Sequence, residues 1–219
     1  FRTDLVVATS GQGAEYAREL GCTDIPRSNA GSNSSCVIVN YVMLEDRAHP
    51  EGDANDPLLS YGLYLNSIVP MAEYSGYMYH FAIRTDLDCF IMPGFADWML
   101  PKGTNVIVGQ GGYIVDNSKA HLAFVSKELN LRNEYNHDNV GSTWYGRLDL
   151  MRSLAKLSLS ASRWLLTQEF SKFEACCSGV LSWPHWHYHV TSMYSGHLAL
   201  NHVGHFSRSS QETGYNITS

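Results

Sequence analysis

The sequence lacks both a hydrophobic run long enough to cross a membrane and any cluster of lysine and arginine. The first absence predicts that this chain contains no membrane span. The second, together with the formal net charge of -6, argues against a nucleic-acid partner. Hydrophobic residues make up 44% of the chain and charged residues 16%, which predicts a folded protein with a substantial core rather than a disordered one.

Cysteines are few and odd in number, and their spacing matches no zinc-ribbon or redox motif. They lie at Cys22, Cys36, Cys89, Cys176 and Cys177. Adjacent cysteines rarely pair with each other because of strain, so the sequence leaves the disulfide pairing open. Acceptor triplets for N-glycosylation begin at Asn33 and Asn216, and they favour the secretory pathway (Golgi lumen) or an extracellular location.

Short β-branched runs alternate with helical patterns along the chain. Residues 4–9 and 36–44 predict strands, and residues 14–20 between them predict a helix that Gly21 ends. The longest helical pattern covers residues 148–170. This alternation is typical of an α/β domain, in which helices flank a central mixed sheet.

No repeat or linker divides the chain. Residues 1–206 therefore predict a single domain, and residues 207–219 predict a polar C-terminal tail that is loosely held. The sequence begins at Phe1 without a methionine and runs at once into apolar residues. We therefore expect it to come from the interior of a longer polypeptide, with any targeting segment outside it.

The main functional prediction comes from the stretch between residues 77 and 94. An aromatic, β-favouring run leads into Asp86 and Asp88, and Pro93 and Gly94 close it. On an extended chain both carboxylates project to the same side, about 6–7 Å apart. Two carboxylates at a strand end suit a hard divalent cation with open positions for phosphate oxygens. The alternative is a solvated turn, because an Asp-x-Asp pair also arises by chance.

Two further stretches are rich in glycine or in polar and aromatic residues. Residues 109–112 include three glycines, among them Gly111 and Gly112, which indicates close backbone approach to a ligand or to a neighbouring strand. Residues 135–146 interleave polar groups with aromatic rings. That pattern suits a sugar-binding wall, because a pyranose offers both hydroxyls and an apolar C–H face; the alternative is a well-capped loop.

Six of the ten histidines lie between His185 and His205. His185, His187 and His189 alternate, so an extended chain would place all three on one side, where they could hold zinc. A single histidine is more often structural, but a cluster this dense predicts at least one contact with a metal or a phosphate.

Taken together, these stretches resemble the GT-A-fold nucleotide-sugar glycosyltransferases, and in particular a GT-A-like branch found in algae and other protists. The likeness is carried by the strand and Asp-x-Asp of residues 79–88, by Gly-Gln-Gly-Gly-Tyr at 109–113, by Asn-Val-Gly-Ser-Thr-Trp-Tyr-Gly at 139–146, and by Ser-Met-Tyr-Ser-Gly-His at 192–197. It implies a Rossmann-related α/β fold with a mostly parallel sheet, in which the chain begins at or after the first strand–helix unit.

The resemblance also implies a metal site. Asp86 would approach the ribose or the metal, and Asp88 would bind Mn²⁺ or Mg²⁺ directly. The first choice for a later histidine ligand is His197, with His187 and His202 behind it. The cation would act as a Lewis acid that neutralises charge on the departing nucleoside diphosphate.

The remaining roles concern the sugars. By resemblance, Asn139 and Gly141 line the sugar pocket, and Trp144 stacks on a sugar ring. Asp138 is a candidate for the carboxylate base that an inverting enzyme needs near the acceptor hydroxyl. The predicted substrate-binding set is completed by three residues near the strand ends, namely Arg84, Gly111 and Gly112.

The leading prediction is a metal-dependent glycosyltransferase that moves a sugar from a nucleotide-sugar donor to a glycan or protein acceptor. A second hypothesis is a GT-A-like domain without catalysis that serves as a structural or binding component of a larger assembly. A third is a zinc hydrolase built on His185, His187 and His189.

Overall fold

The computed structural model describes the chain in segments separated by gaps. These segments are residues 4–24, 35–42, 65–73, 79–86, 89, 91–98, 100–114, 116–133, 140–170, 186–209 and 217–218. The chain divides into two compact units, Phe1–Asn66 and Ser67–Ser219. The single domain expected for residues 1–206 stays a prediction.

The first unit contains a β-α-β arrangement. Strand β1 (Leu5–Thr9) pairs in parallel with strand β2 (Cys36–Asn40), and helix α1 (Gly11–Glu19) connects β1 to the chain that leads to β2. The helix ends before Gly21, whose φ of 93° lies in the left-handed region that glycine adopts without strain. Ala14 and Ala17 of α1 pack on Ile38 of β2. The predicted strand, helix and strand are therefore present in this order.

A disulfide bond between Cys22 and Cys36 closes the first unit. It joins the segment after α1 to the beginning of β2, so it holds the helix near the strand pair. Cys89 is a free thiol and is exposed. Cys176 and Cys177 lie outside the described residues.

The second unit contains a four-stranded sheet. Its strands are β3 (Phe81–Arg84), β4 (Val106–Gln110), β5 (Val140–Arg147) and β6 (Ile217–Thr218), in the order β3-β5-β4-β6. Strand β5 runs antiparallel to both β3 and β4, and β4 pairs in parallel with β6. The expectation of a mostly parallel sheet is thus wrong for the described strands of this sheet, because β5 enters between β3 and β4 in the opposite direction. The α/β class with a mixed sheet is confirmed.

Four α-helices are described in the second unit: α2 (Val69–Glu73), α3 (Asp116–Glu128), α4 (Leu148–Trp164) and α5 (Thr191–Ser209). Helix α4 continues as a π-helical turn over Leu165–Phe170, so the helical pattern predicted for residues 148–170 is confirmed. Short 3₁₀ helices cover Pro93–Asp97 and Tyr188–Val190. None of the described helices is long and apolar enough to cross a membrane.

The C-terminal residues contribute to these elements where they are described. Helix α5 extends to Ser209, and Ile217–Thr218 pairs with Val106 and Ile107 of β4. Residues 210–216, which belong to the predicted polar tail, lie outside the described part of the chain.

The core of the second unit lies between one face of the four-stranded sheet and helices α4 and α5. Its buried members come from the sheet and from both helices, and they are Val106, Val108, Val140, Trp144, Leu150, Met151, Leu154, Ala199 and Leu200. Because side chains alternate along a strand, Trp144 of β5 points into this core while Tyr145 points to the opposite face. The two faces of β5 therefore have different environments.

Gly146 occupies a place where β5 passes closest to β4. A Cβ there would lie 2.3 Å from the backbone oxygen of Asn105 and 2.7 Å from the Cα of Val106. We predict that Gly146→Ala lowers the free energy of unfolding by about 1–3 kcal/mol, since backbone has to shift to admit the methyl group. Urea denaturation followed by circular dichroism measures the change.

The matched control is Gly112→Ala, where a Cβ would meet no heavy atom within 4 Å. Its unfolding free energy should stay within about 0.5 kcal/mol of the wild type. Equal stability of the two variants would contradict the strand packing described here.

Candidate functional site

The candidate site is the C-terminal end of β3, where the Asp-x-Asp pair begins. Asp86 lies two residues beyond Arg84, the last residue of β3, and its side chain is half-buried. Asp88 lies outside the described residues, as do Asp138 and Asn139. Within the described segments, no group of three or more His, Cys, Asp or Glu residues is arranged to hold a metal ion. The described residues thus supply one hard oxygen ligand to the predicted site.

Arg84 anchors this strand end from inside the protein. Its side chain is only 9% exposed, and each of its three guanidinium nitrogens donates a hydrogen bond to protein. Nε lies 2.9 Å from the Ser67 carbonyl oxygen, Nη2 lies 2.7 Å from Ser67 Oγ, and Nη1 donates to the Ser142 carbonyl. These bonds tie β3 to the segment before α2 and to β5.

The surroundings of Arg84 act on its charge in opposite directions. The guanidinium carbon lies 5.4 Å from the centroid of the Trp144 ring. Burial lowers the pKa of Arg84 to about 10, and the nearby Asp86 carboxylate acts in the opposite direction. Even at this pKa the group is protonated at neutral pH. Its hydrogen bonds hold the strand end that precedes Asp86, and the predicted substrate contact of Arg84 stays a prediction.

Two threonine hydroxyls lie at this strand end, on the sheet face opposite Trp144. Thr85 Oγ1 and Thr143 Oγ1 are 2.9 Å apart and share a hydrogen bond between β3 and β5. Both side chains are half-buried. They place a pair of polar groups at the strand end that precedes Asp86.

The glycines in and next to β4 and β5 allow the two backbones to lie close together. A Cβ on Gly141 would lie 2.9 Å from the Gly109 carbonyl oxygen, and one on Gly111 would lie 3.0 Å from the Val140 carbonyl oxygen. The register shifts between Val108 and Gln110 at this place. Of the two explanations for these glycines, a neighbouring strand is therefore confirmed for Gly111. Gly112 faces open space.

Trp144 belongs to the core. Its side chain is 1% exposed, and its indole nitrogen donates to the Gly141 carbonyl at 3.0 Å. Helix α5 packs closely against the ring, because a Cβ on Gly196 would lie 2.8 Å from Trp144 Cζ2. With Arg84 also against it, the ring offers no free face to a sugar. The ring is therefore part of the core in this structure, and the expected stacking role of Trp144 stays a prediction.

The predicted histidine ligand also lies inside the protein. His197 on α5 is 5% exposed, and its Nε2 lies 3.2 Å from Nδ2 of Asn201. The same amide donates to the His197 carbonyl at 2.9 Å. The alternative ligand His202 accepts the backbone N–H of Arg132 at its Nδ1, at 3.1 Å. These contacts give both histidines partners within the protein, and the predicted metal role stays a prediction.

The alternating histidines do not lie on an extended strand. Residues 188–190 form a 3₁₀ helix, and Nδ1 of His187 accepts the backbone N–H of His189 at 3.2 Å. The two imidazole rings meet edge to face, with centroids 4.4 Å apart. Burial and the neighbouring His189 lower the pKa of His187. The two rings therefore meet through a 3₁₀ turn and not through strand alternation, and His185 lies outside the described residues, so the zinc arrangement stays a prediction.

Sequence reasoning missed a buried carboxylate in the π-helical turn. Glu169 is 6% exposed, and its Oε1 accepts the indole N–H of Trp186 at 3.2 Å. Nδ1 of His121 on α3 lies 3.5 Å from the same oxygen, and its ring stacks on Trp186 with centroids 4.9 Å apart. Tyr194 stacks on the Trp186 ring at a centroid distance of 4.4 Å, and burial raises the pKa of its hydroxyl. The sequence signal that could have revealed this carboxylate was a single glutamate near the end of the helical pattern, where Leu165, Leu166 and Phe170 are apolar.

Arg84 and Arg147 provide a direct test of the anchoring role. We predict that Arg84→Lys lowers the free energy of unfolding by about 2–3 kcal/mol, because one ammonium cannot replace bonds that diverge to Ser67 and Ser142. Arg147 lies on the same sheet but is exposed, with a surface ion pair to Asp149 at 2.7 Å. Arg147→Lys should therefore change stability by less than about 0.5 kcal/mol.

Thermal and urea denaturation of the two variants measure these differences. An Arg84→Lys protein as stable as the wild type would show that the guanidinium is not the anchor of β3.

The chain belongs to the family described as Domain of unknown function (DUF7164), whose family model matches residues 1–215. No curated protein and no solved structure matches the chain.

Proposed function

For this chain of the DUF7164 family, we propose a metal-dependent glycosyltransferase that transfers a sugar from a nucleotide-sugar donor to a glycan or protein acceptor. One observation carries the proposal: a half-buried carboxylate, Asp86, stands at the end of a strand that the buried Arg84 fixes in place. Such a fixed strand end holds a charged ligand with little loss of conformational entropy.

In this proposal Asp86 and Asp88 hold Mn²⁺ or Mg²⁺, which suits their hard oxygen ligands. The bound cation supplies Lewis-acid stabilisation of the diphosphate leaving group. Arg84 holds the strand end that carries Asp86, and the burial of His197 leaves the two carboxylates as the protein ligands that we propose. Asp138 is proposed as the base that accepts the proton of the acceptor hydroxyl, and Asn139 as a contact to the sugar.

The larger sheet supports the finer proposal of a GT-A-like fold. It is mixed, and helices α4 and α5 cover one of its faces. The Asp-x-Asp pair begins at the end of one of its strands, which is where the resemblance expects it. The disulfide between Cys22 and Cys36 supports our further proposal of an oxidising compartment, in the secretory pathway or outside the cell.

A second candidate is a domain that keeps this fold without catalysis and serves as a binding or structural component of a larger assembly. It is favoured by the buried position of His197 and by the use of all three Arg84 nitrogens within the protein. Such a domain needs the strand end for shape and has no requirement for a cation.

Binding of Mn²⁺ together with UDP or GDP distinguishes the two candidates. We predict that the wild type binds Mn²⁺ more tightly when the nucleotide is present, because the diphosphate fills the open coordination positions. Asp88→Ala and Asp86→Asn should each weaken this binding by about tenfold or more, which corresponds to about 1.4 kcal/mol. Electron paramagnetic resonance of free Mn²⁺ measures the affinity, and a thermal-shift assay checks the fold.

The control variant is Asp97→Asn, an exposed aspartate at the end of the first 3₁₀ helix, and it should bind like the wild type. Absence of nucleotide-dependent Mn²⁺ binding in the wild type would refute the transferase and leave the non-catalytic domain.

A further inference from the structure

The face of the four-stranded sheet that points away from α4 and α5 carries a cluster of aromatic rings. Tyr145 of β5 lies at its centre, with ring centroids 6.5 Å from Phe81, 5.2 Å from Phe95 and 5.5 Å from Trp98. Phe95 and Trp98 stack on each other at 5.8 Å. We refer to these four residues as the aromatic platform.

Two of the four rings of the aromatic platform are exposed, and the other two, Phe95 and Tyr145, are half-buried. Phe81 is 49% exposed and Trp98 is 42% exposed, whereas Trp144, the neighbour of Tyr145 in sequence, is 1% exposed. Single exposed apolar residues are ordinary on protein surfaces, but rings that contact each other and stay exposed mark a binding surface.

The rings of the aromatic platform are held in place before any ligand arrives. Tyr145 lies on the central part of the sheet, where it pairs with Ile83 on one side and with Ile107 on the other. Phe95 belongs to the 3₁₀ helix that begins at Pro93, and the backbone N–H of Trp98 donates to its carbonyl at 3.2 Å. A ligand that binds to such a surface therefore immobilises few side chains. Little conformational entropy is lost, and this favours affinity.

Polar groups stand at both ends of the aromatic platform. Thr143 and Arg147 lie two residues to either side of Tyr145 on β5, so their side chains share its face, and four residues of strand span about 13 Å. At one end Thr143 bonds to Thr85, which precedes Asp86. At the other end Arg147 forms a two-bond pair with Asp149, at 2.7 and 3.1 Å.

We propose that the aromatic platform binds an oligosaccharide, with pyranose C–H faces against Trp98, Tyr145 and Phe81. Hydroxyls of the same glycan bond to Thr85 and Thr143 at one end and to the Arg147–Asp149 pair at the other. Rings between hydrogen-bonding groups match a ligand that alternates apolar faces with hydroxyls, and the span of the strand is longer than one sugar ring.

The bound oligosaccharide is the acceptor of the transferase, an assignment that rests on the proposed function. The link is the chain itself: Thr85 immediately precedes Asp86, so the threonine pair lies at the strand end where the proposed metal site begins.

A glycan fits the aromatic platform better than an apolar peptide or a lipid surface. Interfaces with apolar partners are depleted of charged residues at their centre, and their charges stay at the rim. Here Thr143 and Arg147 lie on the same strand as the central ring, two residues to either side of it, and each is bonded to a further polar partner. The polar groups are thus part of the surface and would lose their water beneath an apolar partner.

The test uses an array of immobilised oligosaccharides of hexose, deoxyhexose, pentose and N-acetylhexosamine units, probed with the purified chain in EDTA and without nucleotide. We expect binding to a subset of these glycans. Isothermal titration with a soluble glycan from that subset should show affinity lower by about tenfold or more for Trp98→Ala and for Phe81→Ala. Circular dichroism and urea denaturation verify that both variants fold.

The matched control is Phe124→Ala, which removes an equally exposed ring, 50% exposed, from helix α3. Its glycan affinity should equal that of the wild type. The proposal is overturned if no glycan on the array binds, if Trp98→Ala and Phe81→Ala bind as the wild type does, or if Phe124→Ala loses affinity equally. It is also overturned if apolar peptides or phospholipid vesicles bind in a Trp98-dependent way and glycans do not.

Failure of the platform and failure of the transferase give different results. Glycan binding that depends on Trp98, without any Mn²⁺–UDP or Mn²⁺–GDP binding, supports the aromatic platform and refutes the transferase. Nucleotide-dependent Mn²⁺ binding with no glycan binding supports the transferase and refutes glycan binding by the aromatic platform.

Discussion

The packing of the second unit depends on one buried positive charge. The guanidinium of Arg84 is 9% exposed, and it joins β3 to the segment before α2 through Ser67 and to β5 through Ser142. A buried charge is costly unless hydrogen bonds and nearby charges compensate it. Here carbonyl and hydroxyl oxygens, the face of Trp144 and the Asp86 carboxylate all do so. The arrangement fixes the strand end at which the candidate site begins.

Strand β5 connects this anchor to the two faces of the sheet. Its Trp144 is contacted both by Arg84 and by Gly196 of α5, so the strand end and the helical layer meet at one side chain. Its Tyr145 faces the opposite way and gathers Phe81, Phe95 and Trp98 around it. A single strand thus contributes to the core and to the proposed glycan surface, because neighbouring side chains alternate in direction.

Helix α5 shows how a histidine-rich segment can be structural. His197 and Asn201 occur four residues apart on the helix and bond to each other in its buried face. His202 bonds to the backbone after α3 and so links two helices. Imidazole groups with protein partners of this kind help to satisfy buried polar groups. The metal chemistry proposed for the site is therefore left to the carboxylates.

The sequence by itself determined the elements that depend on local patterns. The strands 5–9 and 36–40, the helix 148–164 and its extension to residue 170, and the α/β class follow from side-chain periodicity and from Gly21, all of which act over a few residues. The position of Asp86 directly after a strand was also evident from the sequence.

Only the tertiary structure decided which of these residues are covered. The antiparallel entry of β5, the burial of Trp144 and His197, the inward role of Arg84 and the meeting of Tyr145 with Trp98 all require segments far apart in sequence to pack together. A pattern of residue types indicates which side chains have the chemistry to stack on a ligand or to coordinate a metal. Whether those side chains are accessible depends on the segments that pack against them, and the local sequence does not contain those contacts.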